Sequence, residues 1–264
     1  MISFAGGLPS PESFPIEDVK KIASEVLEEE GAAALQYGTT EGDSKLRKLL
    51  AERHNGEGLD ITPDNIMITS GSQQGLDLIG KIFIDPGDYV ICGLPTYLGG
   101  LSAFTVYGAQ MKGIPLDDDG MRPDLLEKAI LNLEEKGKTV KFIYIIPDFQ
   151  NPAGVTVPRA RRLEIIRIAE RHDLLIIEDS PYRDIRFEGQ PQPLLYSLDT
   201  AGRVITLHTF SKIFAPGLRL AWVLGHPDLI DKLIIAKQAA DLCSPAFVQK
   251  IAARYLEKGL LDIN

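Results

Sequence analysis

Residues 204–224 read VITLHTFSKIFAPGLRLAWVL, an apolar run, a short loop and a second apolar run. The two runs, residues 204–207 and 220–224, have the apolar and β-branched character of strands, so Lys212 is predicted to lie on the loop between them. That loop is too short for the helical crossover that joins parallel strands, and the two strands are therefore predicted to be antiparallel neighbours. This arrangement displays Lys212 and Arg219 together at one edge of a sheet.

The residues around Lys212 suit a phosphate-bearing ligand and a reactive amine. Thr209 and Ser211 supply hydroxyls, and Arg219 supplies a second cation. A lysine kept partly dry can lose its proton and become a nucleophile. Because a lysine alone in a loop is usually a solvated cation, the interpretation depends on what the rest of the chain supplies.

The composition argues against several classes of protein. The chain has 264 residues, of which 44% are hydrophobic and 25% charged, and this is ordinary for a globular protein with a sizeable core. A formal net charge of -9 without a long basic cluster disfavours a nucleic-acid partner. Cys92 and Cys243 lack CxxC spacing and the four histidines lack ligand spacing, so neither a disulfide framework nor a metal site is predicted. Unpaired thiols favour a reducing, cytoplasmic location, and no apolar run is long enough to predict a membrane partner.

Strands and helices alternate along much of the chain, which predicts an α/β fold. We expect a mostly parallel central sheet with helices on both faces and one antiparallel strand after the lysine loop. The predicted strands are residues 65–69, 89–92, 110–114, 141–146 and 174–177, followed by the two that flank Lys212. Helical apolar spacing predicts helices at 15–30, 46–54, 76–83, 123–136 and 159–172, and two helices within 227–258 that are broken near Ser244.

Polar or aromatic residues follow four of the predicted strands at the point where each ends. They are segment 70–75, then Tyr97, then segments 151–154 and 179–182. The carboxyl ends of parallel strands meet at one edge of a sheet, where open α/β sheets bind ligands. Segment 70–75 is rich in small residues and leaves backbone N–H groups free at a helix start, which predicts an anion site. It matches neither GxxxxGK[ST] nor GxGxxG, so nucleotide-binding motifs lose support.

Two carboxylates, Glu178 and Asp179, come directly after a buried strand. An unpaired buried charge is costly, so each needs a partner, either a cation of a ligand or a backbone cap. The three carboxylates at 117–119 lie in a glycine-containing turn instead, and they are predicted to be solvated.

Four short strings carry a resemblance to a known family. They are GSQQG (71–75), NPAG (151–154), EDSPY (178–182) and TFSK with GLR (209–219). With these strings in this order, nearly the whole chain resembles the class I and II aminotransferases, fold type I enzymes whose cofactor is pyridoxal 5′-phosphate. It is especially similar to the branch that contains 2-aminoadipate and kynurenine aminotransferases. The resemblance implies a ping-pong transfer of an amino group from an α-amino acid to a 2-oxo acid through an aldimine of Lys212.

The resemblance also gives each matching residue a role. Lys212, Asp179 and Tyr97 would be catalytic: the lysine moves a proton, the aspartate keeps the pyridine nitrogen protonated, and the tyrosine stacks on the ring. Asn151 and Tyr182 would hydrogen-bond the phenolic oxygen of the cofactor. The residues implied to hold the phosphate are Ser72, Gln73, Thr209, Ser211 and Arg219, with Tyr37 reaching the phosphate of the neighbouring subunit in a homodimer. Gly6 and Gly7, in a Gly- and Pro-rich N-terminal arm, and Asn151 would contact the substrate.

A division of the chain follows from the same resemblance. Residues 1–36 would be an arm and a helix, residues 37–258 the cofactor-binding large domain, and residues 259–264 the start of a small domain. Family members carry in the small domain an arginine that binds the substrate α-carboxylate, and this chain has no counterpart of it. Because that arginine is missing, we expect the chain to be the large domain of a longer enzyme. Ser180 is a second departure, since relatives in the branch often have an acidic or small residue at this position.

Two other functions use the same set of residues. A lyase or synthase of fold type I would share the lysine, aspartate and tyrosine, because the substrate side decides the outcome. The effector-binding domain of a transcription regulator would share the whole domain, although no basic helix-turn-helix segment precedes residue 1. Formation of a 2-oxo acid product separates the aminotransferase from both.

Overall fold

A computed structural model describes residues 6–263, and these contain one eight-stranded sheet. The strands are β1 (Ile66–Thr69), β2 (Tyr89–Leu94), β3 (Gln110–Asp117), β4 (Gly120–Met121), β5 (Val140–Ile145), β6 (Leu175–Asp179), β7 (Val204–Thr209) and β8 (Ala221–Leu224). Their order across the sheet is β1-β8-β7-β6-β5-β2-β3-β4. Residues 1–5 and 264 lie outside the described residues, so the predicted N-terminal arm is described from Gly6 onward.

The lysine loop joins two antiparallel strands, as the sequence predicts. β7 pairs with β8 in a register that sets Thr209 opposite Ala221. β8 is also antiparallel to β1, whereas the pairs from β7 through β3 are parallel. The fold class is therefore confirmed. The short strand β4, antiparallel to β3, was not predicted, because it has only two residues beside an acidic turn.

Helices cover both faces of the sheet. They are α1 (Ile16–Ala34), α2 (Ser44–Gly56), α3 (Ser72–Phe83), α4 (Leu98–Thr105), α5 (Pro123–Glu135), α6 (Arg159–Arg171), α7 (Leu195–Leu198), α8 (Pro227–Asp241) and α9 (Ala246–Glu257). α3, α4 and α8 pack on one face, and the other helices pack on the opposite face. The predicted break between the last two helices is present, and Leu242 follows α8 with φ +65°.

The central strands are buried on both faces, which explains their nearly continuous apolar sequence. In β5, Phe142 and Tyr144 pack beneath α3 and α4, while Ile143 and Ile145 pack against α5 and α6. This layering holds the carboxyl ends of the parallel strands in a fixed row. Among the described residues, no helix combines the length and apolar character needed to cross a membrane.

Candidate active site

One cavity of about 590 Å³ gathers residues from the strand ends and from the lysine loop. The residues predicted from the sequence that line it are Gly6, Gly7, Ser72, Gln73, Tyr97, Asn151, Asp179, Tyr182, Thr209, Ser211, Lys212 and Arg219. Tyr37 is not among the lining residues of the described chain, and its side chain is 79% exposed. Because Tyr37 is predicted to act on a neighbouring subunit, its role stays a prediction.

Lys212 lies just beyond β7 and points its amine at the N-terminal arm. Its Nζ donates a hydrogen bond to the carbonyl oxygen of Gly7 at 2.8 Å. Partial burial lowers the pKa of Lys212, because the charged ammonium loses hydration. The amine is therefore easier to deprotonate than a solvated lysine, and this suits a nucleophile and proton carrier.

The N-terminus of α3 faces Arg219 across a tight backbone turn. Gly71 stands at the N-cap with φ +87° and ψ 158°, and no side chain caps the helix. The first N–H groups of α3 are consequently available to an anion. A Cβ built on Gly71 would collide with Nη2 of Arg219, so the glycine lets the guanidinium lie against the turn.

Two hydroxyls complete the polar lining beside this turn. Thr209 Oγ1 lies 3.0 Å from Ser211 Oγ and accepts a hydrogen bond from the Ser211 backbone N–H at 3.1 Å. These contacts fix both hydroxyls at the start of the lysine loop. Together with Arg219 and the helix N-terminus, they form a set of donors that suits a phosphate.

Asp179 is a buried carboxylate with one free oxygen. Its Oδ2 accepts a hydrogen bond from the Tyr144 hydroxyl at 2.7 Å, while Oδ1 has no partner within the described structure. Burial raises the pKa of Asp179 to about 6, and the Tyr144 hydrogen bond acts in the opposite direction. An unpaired buried acceptor at a cavity wall is a docking point for a protonated ring nitrogen.

The neighbouring carboxylate Glu178 is fully paired within the protein. It accepts hydrogen bonds from the backbone N–H groups of Leu195 and Tyr196 and from the Thr206 hydroxyl. Of the two partners expected for these carboxylates, a ligand cation or a backbone cap, Glu178 therefore has the backbone cap. Asp179 alone is left with an oxygen for a ligand.

Asn151, Tyr182 and Tyr97 are held by hydrogen bonds at the cavity wall. Asn151 Nδ2 donates to the Tyr182 hydroxyl at 3.3 Å, so both polar groups lie together. Burial raises the pKa of Tyr182. Tyr97 donates to Gln73 Oε1 at 3.5 Å, and Gln73 Nε2 donates to the Gly99 carbonyl at 2.8 Å. The Gln73 side chain is thus engaged with the Tyr97 loop, which leaves its backbone N–H as its contribution to an anion.

Residues that the sequence analysis did not single out support the cavity. Gln74 receives the Ser70 N–H at 2.8 Å and donates to Asp241 Oδ2 at 2.7 Å, which anchors the turn before α3 to α8. On the other side, the buried Arg162 pairs with Asp148 at 2.9 Å and steadies the loop that leads to Asn151. Neither partner lies near in sequence, so only the folded chain reveals these supports.

The donor set fits the cofactor that the sequence resemblance implies. Pyridoxal 5′-phosphate carries an aldehyde, a phenolic oxygen, a pyridine nitrogen and a phosphate, and the cavity offers groups suited to each. They are Lys212 for the aldehyde, Asn151 and Tyr182 for the phenolic oxygen, Asp179 for the nitrogen, and Ser72, Thr209, Ser211 and Arg219 for the phosphate. The unpaired Oδ1 of Asp179 and the glycine cradle at 71 are the features that a packed core without a ligand would not need.

One family model matches nearly the whole chain. The family described as aminotransferase class I and II matches residues 2–264. Aromatic-amino-acid aminotransferase 1 of Thermococcus litoralis is 51% identical over 263 residues, which are 99% of this chain and 63% of that protein. The 2-aminoadipate transaminase of Thermus thermophilus is 39% identical over 265 residues, covering 99% of this chain and 64% of that protein.

A solved structure agrees with these sequence relatives. Kynurenine aminotransferase of Pyrococcus horikoshii superposes with a TM-score of 0.95 at 48% identity, over 100% of this chain and 65% of that one. The chain therefore spans slightly less than two thirds of the length of each of these relatives.

Proposed function

The chain belongs to the class I and II aminotransferases, and from that premise we propose that it carries the cofactor site of a pyridoxal 5′-phosphate-dependent aminotransferase. The reaction moves an amino group from an α-amino acid to a 2-oxo acid in two half-reactions. The observation that carries this proposal is the convergence of Lys212, the free oxygen of Asp179 and a phosphate cradle on one cavity. The family resemblance inferred from the sequence is confirmed by the family match.

The bound cofactor supplies an aldehyde that accepts the amino group and a ring that withdraws electrons from the substrate α-carbon. Lys212 Nζ would take the proton from that carbon and pass it to the cofactor carbon that carried the aldehyde oxygen, a role that suits an amine whose lowered pKa makes it easier to deprotonate. Asp179 Oδ1 would hold a proton on the ring nitrogen and so sustain the electron withdrawal. Asn151 and Tyr182 would bind the phenolic oxygen and orient the ring.

The remaining wall residues position the reacting groups. Tyr97 lies at the start of α4, where its aromatic face suits stacking on a planar ring. Gly6 and Gly7 of the arm line the same cavity, and the carbonyl of Gly7 accepts a hydrogen bond from Lys212, so the arm would lie beside the reacting amine. We propose that the substrate carries an aromatic or a long dicarboxylic side chain, which is the class for the first substrate panel; relatives named for aromatic amino acids and for 2-aminoadipate support this choice.

The proposal is tested with the full-length protein and pyridoxal 5′-phosphate. Borohydride reduction followed by peptide mass spectrometry should place the cofactor on Lys212, and Lys212→Ala should lose the label. Lys45→Ala is the control, because Lys45 pairs with Glu257 on the surface. Release of a 2-oxo acid from members of an amino-acid panel supports the aminotransferase. Labelling without a 2-oxo acid would point to a lyase, a synthase or an effector domain, and labelling elsewhere would reject the site.

We also propose that the enzyme is a homodimer whose sites are shared. The exposed Tyr37 of one subunit would contact the phosphate held by the other. A subunit with Tyr37→Ala keeps its lysine, and one with Lys212→Ala keeps its tyrosine, so a mixed dimer contains one intact site. Mixing the two variants after dissociation should restore activity above either alone. Failure to complement, with dimers shown by light scattering, would remove Tyr37 from the site.

The domain division and the location stay proposals of the same kind. Residues 1–36, 37–258 and 259–264 are assigned to an arm with a helix, a large domain and the start of a small domain. Limited proteolysis of the full-length protein should cut first near these boundaries. Both cysteines are free, which is compatible with the proposed cytoplasmic location, and fractionation of cells with an antibody tests it.

A further inference from the structure

Tyr144 is a buried tyrosine behind the cavity, and it does not line the cavity itself. It lies near the carboxyl end of β5, between Cys92 of β2 and Ile177 of β6, and none of its surface is exposed. A buried phenol needs a partner for its hydroxyl. That partner is Asp179 Oδ2, at 2.7 Å.

The hydrogen bond makes the two oxygens of the Asp179 carboxylate different. Tyr144 holds Oδ2, and Oδ1 stays without a partner although it is buried. Within the described structure no other side chain competes for Asp179. We propose that Tyr144 is a positioning residue, whose hydroxyl fixes Asp179 so that Oδ1 meets the nitrogen of the bound ring. The inference rests on the proposed function for the identity of the ring.

The surroundings of Tyr144 are shaped to hold its hydroxyl in place. Its ring packs edge-on against Phe104, with centroids 5.4 Å apart. Gly100 of α4 lies directly over the phenol, and a Cβ there would stand 2.8 Å from the Tyr144 hydroxyl oxygen. A glycine at this point therefore makes room for the hydroxyl, and α4, which begins beside Tyr97, also sets the position of Tyr144.

The chemical direction of the hydrogen bond is fixed by the two groups. Burial, and after it the Asp179 charge, raises the pKa of Tyr144 well above its usual value, so the phenol stays protonated and donates the hydrogen bond to Asp179. The donated hydrogen bond stabilises the ionised form of Asp179. Without it, the carboxyl would bind a proton more tightly and draw the proton away from the ring nitrogen. Tyr144 would thus act on the reaction only through Asp179.

The first test uses the protein without any ligand. Aspartate labelled with ¹³C at the carboxyl carbon is followed by NMR against pH, and the Asp179 resonance is assigned by its loss in Asp179→Asn. In Tyr144→Phe the titration midpoint should rise by about one pH unit, the size expected for one hydrogen bond to a charged group. The matched control is Tyr107→Phe, which removes a tyrosine hydrogen bond to Asp77 outside the cavity, at 3.0 Å. A midpoint that stays in place in Tyr144→Phe would overturn the inference.

The second test asks whether the effect passes through Asp179. Affinity for pyridoxine 5′-phosphate, which has the ring nitrogen but no aldehyde, is measured from pH 5 to 8 by calorimetry. Tyr144→Phe should move the acid limb of the affinity to higher pH by about one unit and lower kcat about tenfold with little change in KM. In an Asp179→Asn background the same substitution should have no further effect. An equal effect in both backgrounds would mark Tyr144 as a packing residue and refute the inference.

A third variant covers the case in which Tyr144→Phe does not fold. Gly100→Ala keeps the phenol but crowds its hydroxyl, so it should shift the Asp179 midpoint in the same direction. An unshifted midpoint in the folded Gly100→Ala protein would count against the inference. If the protein binds neither pyridoxal 5′-phosphate nor pyridoxine 5′-phosphate, the proposed function fails. The titration without ligand still decides whether Tyr144 lowers the pKa of Asp179.

Discussion

Replacing Gly71 with alanine should weaken phosphate binding and stability by two separable mechanisms. The backbone at φ +87° and ψ 158° lies in a region that only glycine adopts readily, so any side chain costs about 1–3 kcal/mol of folding free energy. The new Cβ would also displace the Arg219 guanidinium from the turn. Loss of a charge-assisted contact to phosphate is worth about 1.5–3 kcal/mol, which corresponds to a roughly 10- to 150-fold weaker affinity.

A matched glycine separates these two mechanisms. Gly87 has φ +95°, but a Cβ there would meet no atom within 4 Å. Gly87→Ala should therefore lower the denaturation midpoint without changing the affinity for pyridoxal 5′-phosphate, measured by calorimetry. In an Arg219→Ala background, Gly71→Ala should cost stability but no further affinity. Arg219→Ala alone shows whether Arg219 binds the phosphate. If it does, and Gly71→Ala still leaves the affinity for pyridoxal 5′-phosphate unchanged, then Gly71 does not hold Arg219 in its binding position and the reasoning is refuted.

Three other substitutions give distinct outcomes. Asp179→Asn should retain cofactor binding but lower kcat on the order of 100-fold or more, because an amide cannot hold the ring nitrogen protonated; unaltered turnover in stopped-flow assays would contradict this. Arg219→Lys should bind the phosphate more weakly than the parent protein, since an ammonium lacks the paired donors of a guanidinium; equal dissociation constants would count against its role. His54 has a pKa lowered to about 4 by burial, so its protonation should cost the folded protein about 3 kcal/mol of stability as pH falls from 6.5 toward 4, and the buried His208, whose pKa is also lowered, adds to the loss. His54→Gln keeps an acceptor for Trp222 Nε1 and should flatten that dependence in urea titrations read by tryptophan fluorescence; a dependence as steep as that of the parent would assign it to other groups.

The sheet could be predicted from the sequence because its signals are local. Unbroken apolar runs identify strands buried on both faces, and the short loop around Lys212 fixes the antiparallel pair β7 and β8. The four-residue helix α7 gave no signal, since it is too short for a helical period. β6 extends to Asp179, beyond the predicted end at 177, because Glu178 finds its partners in Leu195, Tyr196 and Thr206. No local sequence pattern predicts partners so distant in the chain.

The residues that line the site could be predicted from the sequence, but the residues that hold them in place could not. The residues of the strand ends could be placed at one edge because parallel strands share a direction. The support from Tyr144 was missed because that residue stands in an apolar strand, although a phenol among aliphatic neighbours is itself a signal that a buried partner exists. Arg162 is one of several arginines in α6, and only the fold shows that its side chain is fully buried.

The position of β1 beside β8 has a consequence for the life of the protein in the cell. Within residues 6–263, β1 precedes the other strands in the sequence and pairs only with β8, the strand that comes last, so this edge of the sheet forms only after residue 224 has been synthesised. The turn at Gly71, proposed to contact the phosphate, lies two residues after β1, and Arg219 lies two residues before β8. Pyridoxal 5′-phosphate, if held by both segments, would bind only chains synthesised past residue 224 and would protect their folded state from proteases to a degree that rises with its concentration. The cellular concentration of the cofactor would then affect the amount of the protein as well as its proposed activity.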